Sequence, residues 1–124
     1  MCVSNEKLNT KKKILNNVEI TLQFIRQTIL DTAKRFNIQV DKVILFGSRA
    51  RGDYREDSDW DILVVTEEKL DRRKYLEFYS AVIKALHEKK IKSDLIIVDK
   101  ETFEKKKHIA NTIVNEAFTE GIPL

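Results

Sequence analysis

Gly47 and Ser48, followed after ten residues by Asp59 and Asp61, are the residues of this chain whose types and spacing could do chemistry. A glycine lets a phosphate come up against the backbone, and a serine adds a hydroxyl and an N–H donor at the head of a helical turn. Two carboxylates two apart on a strand project to one face, roughly 6–7 Å apart along the backbone, and turn Trp60 to the other face. Ionised side by side in a partly dry site, they repel each other unless a proton or a cation intervenes. Magnesium, a hard ion that takes oxygen ligands, answers that need. Asp94 opens a later apolar run as Asp59 and Asp61 open theirs. If those two strands are parallel neighbours, three acids converge at one end of a sheet, where they could hold two metal ions; Asp94 could also take the proton of an attacking hydroxyl. Asp94 otherwise reads as an ordinary strand-entry residue. Arg49 and Arg51 could neutralise phosphate charge, or equally pair with Asp53, Glu56 or Asp57.

Two strands must hold this set. Val43 to Phe46 is apolar at every position and too short for a helix, as in a strand buried on both faces, and Gly47 stops it. Ser48 to Arg51 reads as a short helical turn that Gly52 ends, Asp53 to Ser58 as loop, and Asp59 to Thr66 as the second strand. Upstream, Val18, Leu22, Ile25, Ile29, Ala33 and Phe36 recur at steps of three and four, one face of a helix, with Asn37 as its left-handed cap. Downstream, a helix begins at Lys69 to Asp71 and buries Tyr75 or Leu76, Tyr79, Val82, Ile83 and Leu86. A third strand follows Asp94, then a short charged helical piece. A last helix shows Ile109, Ile113, Ala117 and Phe118 on its apolar face and stops at Gly121 with Pro123 beyond. The expected fold is an α/β domain (α+β, mixed sheet), a three-strand core sheet flanked by helices. Residues 18–124 form this domain, and residues 1–17 form a partly helical extension in which Thr10 caps a first segment after a loose start.

Composition narrows the function. A chain of 124 residues with 42% hydrophobic residues has room for one core. Its net charge of +3 is the small remainder of 23 basic and 20 acidic residues, so no direct nucleic-acid binding is expected. One cysteine, Cys2, excludes a disulfide framework. No apolar run spans a bilayer and no secretory leader opens the chain, so a cytoplasmic location is expected. His87 and His108 lack ligand spacing, and Tyr54, inside the polar loop, is a candidate to stack on a base.

Gly47, Ser48, ten residues, then Asp59, Trp60 and Asp61 match a G-S-x10-D-x-D signature, set within LFGSRARG and SDWDILV. In these motifs, and from about residue 20 to 122, the chain resembles the minimal nucleotidyltransferases of the DNA polymerase β-like superfamily. The resemblance implies a nucleotidyltransferase (polymerase β palm-like) fold in which Asp59, Asp61 and Asp94 bind Mg2+, as two ions. Gly47 and Ser48 would bind the triphosphate, with Arg49 and Arg51 beside them. It also implies an MntA-type antitoxin that transfers AMP from ATP to a tyrosine of a helical HEPN toxin, the partner supplying the acceptor hydroxyl. Two other readings stay open: neutralisation of a toxin by binding alone, and nucleotidyl transfer to a small molecule.

Overall fold

The structure is a computed structural model that describes the backbone of residues 2–124 and the side chains of residues 18–124. Helix α1 is Cys2–Arg35. The expectations of a loose start and a Thr10 cap fall on residues 1–17, outside those described in full. From Val18 onward the three-and-four spacing does what it predicts at its centre: Ile25, Ile29 and Ala33 are buried, while Val18 at the near end is exposed. Asn37 takes the left-handed conformation at φ 59°, and Ile38 N–H donates to Ala33 O at 2.8 Å to close the helix end.

Strand β1 (Val40–Phe46) leads through Gly47 into α2 (Ser48–Arg51), and β2 (Trp60–Thr66) returns antiparallel to β1. Helix α3 (Arg72–Glu88) starts on Asp71, whose carboxylate accepts the Lys74 N–H at 2.8 Å. It then carries the chain to β3 (Ser93–Asp99), parallel to β2 as a crossover helix permits. Helix α4 (Lys100–Lys106) is capped by Asp99, and α5 (Ile113–Glu120) by Thr112. The last element, β4 (Ile122–Pro123), pairs with the open edge of β1. The sheet order is β3-β2-β1-β4, so the expected three-strand core gains a fourth, very short strand. A proline is tolerated there because it lies on an edge.

The sheet is buried on both faces, as the continuous apolar runs require. Ile62, Val64, Val43, Leu95 and Ile97 face α1 and α3, where Phe78, Val82 and Leu86 meet them. Leu63, Val65, Ile44 and Phe46 face α4 and α5, against Phe103, Val114 and Ala117. Here the sequence pattern needs correction. Ile109, Ile113 and Phe118 are about half exposed, and Val114 joins Ala117 in the core instead. The cause is the break between α4 and α5. Asn111 sits at φ 68° and Thr112 starts a new helix, so no single helical period runs from Ile109 to Phe118. Among the described residues no helix is long and apolar enough to cross a membrane.

Candidate active site

The end of β1 and the starts of β2 and β3 lie at one edge of the sheet, and the register there is explicit. Phe46 pairs with Asp61, and Asp61 pairs with Asp94. The parallel pairing on which convergence of the acids depended is therefore present. Side chains directly across a ladder share a face, so Asp61 and Asp94 stand on neighbouring strands about 4.8 Å apart. That face belongs to α4 and α5, because Asp61 alternates with Leu63 and Val65, and Asp94 with Ile96 and Val98. Asp59 precedes the first paired residue of β2, one position later than the expected strand start. The Trp60 N–H still reaches Lys92 O at 2.8 Å and holds this end against β3.

Gly47 is the other half of the corner. It has φ 72° and ψ −156°, a conformation open in practice to glycine alone. A Cβ built there would overlap Asp61 Oδ2 and lie 3.0 Å from Asp61 Cγ. The missing side chain is the room in which the Asp61 carboxylate stands. Gly47 O accepts from Ala50 and Arg51 N–H at 3.1 and 3.0 Å, closing the first turn of α2 beside Ser48.

Electrostatics single out Asp61. Burial raises its pKa first, and the charges of Asp94, Asp59 and Glu116 raise it further, against a lowering by Arg51. Among the described residues, Asp59, Asp61 and Asp94 accept no hydrogen bond and form no ion pair. They are repelling oxygen donors with nothing bonded to them, a set that suits a hard divalent ion. Among the described residues no three histidine, cysteine, aspartate or glutamate side chains are gathered closely enough to enclose a metal. Magnesium takes about six oxygens and usually draws several from water and substrate phosphates, so a partial carboxylate shell fits it better than a closed cage would.

The arginines have different neighbours. Arg51 lies 3.4 Å from Asp53, 3.5 Å from Glu116 and 3.2 Å from Glu120, which ties α2 to α5 at the edge of the acid cluster. Its pKa is raised, chiefly through the Glu120 hydrogen bond. Arg49 turns to the polar loop, where it donates to the carbonyls of Glu56 and Ser58. Its guanidinium also lies over the rings of Tyr54 and Trp60. Glu116 is the acid that sequence reasoning missed. Glu116 and Glu120 flank buried Ala117 one turn apart, a spacing that would have pointed to an acidic edge on α5.

Comparison with known proteins bears on this geometry. Residues 25–118 match the model of the family described as "Nucleotidyltransferase domain". "Putative protein adenylyltransferase MJ0141" of Methanocaldococcus jannaschii is 31% identical over 101 residues, which are 82% of this chain and 95% of that protein. "Putative protein adenylyltransferase MJ0604" of the same organism is 39% identical over 69 residues, 52% of this chain and 69% of its own length. Among solved structures, "Structure of putative minimal nucleotidyltransferase" superposes with a TM-score of 0.55 at 29% identity, covering 84% of this chain and 93% of that one.

Proposed function

The chain belongs to the nucleotidyltransferase domain family and is a nucleotidyltransferase, and we propose that it transfers AMP from ATP to a tyrosine hydroxyl of a HEPN-family helical toxin, acting as that toxin's antitoxin. The observation that carries the chemistry is the register Phe46, Asp61, Asp94, with the Gly47 corner set against the Asp61 carboxylate. AMP as the transferred group is supported by two relatives named as protein adenylyltransferases. The toxin partner and its tyrosine rest on the resemblance of the G-S-x10-D-x-D stretch to stand-alone antitoxins. A reducing cytoplasm agrees with a single cysteine.

In this reading Gly47 and Ser48 receive the triphosphate. Arg51, already beside the acids, moderates the negative charge there. Asp59, Asp61 and Asp94 would hold magnesium, which when bound neutralises phosphate charge and aligns the α-phosphorus for attack. The acceptor oxygen attacks that phosphorus in line. A bond from acceptor oxygen to phosphorus forms, the bridge to the β-phosphate breaks, and pyrophosphate leaves. Exposed Asp94 takes the hydroxyl proton, since its carboxylate has no protein partner among the described residues.

The test is incubation of the purified protein with magnesium, the partner and each common ribonucleoside triphosphate labelled at the α-phosphate. Label is expected on a partner tyrosine from ATP, and only with magnesium present. Label on no protein, or equal label from every nucleotide, would contradict the reading.

A further inference from the structure

We infer that Arg49 is a positioning residue that holds the Asp59 end of the polar loop against α2, beside the Asp61 that the β1–β2 register already places; the inference rests on the nucleotidyl-transfer reading only for its effect on rate. Along the backbone, Ser48 and Asp59 are joined by the rest of α2 and a loop, residues 52–58, that is exposed up to Ser58. Through space the Arg49 side chain links α2 to the residue before Asp59. Arg49 follows Ser48 on α2, and its Nε and Nη2 donate to Ser58 O at 3.3 and 3.1 Å, with Nη2 also donating to Glu56 O at 3.0 Å. Ser58 immediately precedes Asp59, so the guanidinium holds the backbone from which that carboxylate projects.

The far end of the clamp is anchored. Cζ of Arg49 is 4.5 Å from the centre of the Trp60 ring and 4.3 Å from that of Tyr54. Trp60 packs against the core under α1 and α3, on the sheet face opposite Asp61. The loop adds its own turn, in which Arg55 N–H donates to Ser58 Oγ at 2.8 Å and Ser58 N–H to Arg55 O at 3.1 Å. A planar fork that both stacks and donates from two nitrogens is specific to arginine. Lysine keeps the charge and loses the geometry. An arginine committed in this way orders the loop by its shape, so its contribution to phosphate binding as a bare charge is secondary.

Trp60 is the sole tryptophan, which gives a readout free of substrate. On the intact protein, Arg49→Ala and Arg49→Lys are both expected to speed hydrogen exchange of the amides of residues 53–59 and to expose the Trp60 emission to quenching by iodide. With magnesium and ATP, kcat should fall about 100-fold in both variants, as a misplaced reacting group predicts. The KM for ATP should stay within about twofold of wild type. Three results would overturn the inference: wild-type exchange and emission in both variants, recovery of kcat by Arg49→Lys, or a raised KM with kcat preserved, the mark of a phosphate ligand. A wild-type protein that transfers no nucleotide defeats the functional reading alone, and the exchange and emission measurements still decide the clamp.

Discussion

Gly47→Ala is expected to destabilise the protein by about 1–3 kcal/mol from backbone strain alone and to lower nucleotidyl transfer at least about 100-fold. Two causes act together. The residue sits at φ 72° and ψ −156°, where an L side chain is strained, and its Cβ would overlap the Asp61 carboxylate oxygen. Either the corner opens or Asp61 turns away from Asp94, and both outcomes spoil the alignment of phosphate and acid. Gly52→Ala is the matched control. Gly52 also has a positive φ, of 91°, but a Cβ there meets nothing within 4 Å, so strain comes without a clash. Chemical unfolding should show the smaller cost in Gly52→Ala, whose φ 91° and ψ 0° lie near the left-handed region, and initial rates should show transfer lost in Gly47→Ala and largely kept in Gly52→Ala.

Asp61→Asn should abolish transfer, by at least about 1000-fold on the scale of removing a central electrostatic group, while leaving the melting temperature unchanged or higher. Folding raises the pKa of this carboxyl, through burial first and then through Asp94, Asp59 and Glu116. An acid whose pKa rises on folding destabilises the fold whenever it is ionised, so at neutral pH the neutral amide removes a repulsion. Asp99→Asn supplies the opposite sign. The Asp99 carboxylate accepts from the Thr102 hydroxyl at 2.7 Å and from its N–H at 3.1 Å, and its pKa is lowered chiefly by that hydroxyl. Its stabilisation is complete above the ordinary aspartate range and is lost as pH falls through the lowered value. Thermal melts at neutral pH should place Asp99→Asn below wild type and Asp61→Asn at or above it. An Asp61→Asn protein that melts lower would mean that its carboxylate has a stabilising partner.

Much of this was legible because the site is local. Val43 to Phe46 and Ile62 to Val65 announce their strands by unbroken apolarity, Gly47 announces the turn between strand and helix, and Asn37 announces its left-handed cap. Asp94 was visible as a residue but not as a neighbour. Whether β2 and β3 run parallel is decided by how α3 packs across the sheet, and no residue near Asp94 records that. Strand β4 escaped because two residues make no pattern, and it is held by pairing of Ile44 with Pro123 and by the Leu124 N–H on Val43 O at 2.8 Å. Arg49 was ambiguous for a physical reason. A guanidinium serves a phosphate or a row of carbonyls with the same donors, and only the folded position of Glu56 and Ser58 chooses between them.

The most direct test is a crystal structure of the protein with magnesium and a non-hydrolysable ATP analogue. A metal ion is expected at Asp61 within reach of Asp59 and Asp94, and the triphosphate against Gly47 and Ser48. Another cleft is available for comparison, about 480 Å³ in volume, lined by Asn37, Gln39, Glu67, Lys69 and Lys74 at the other end of β2. Nucleotide bound there, or at the Gly47 corner with no metal on the three acids, would contradict this assignment of the site.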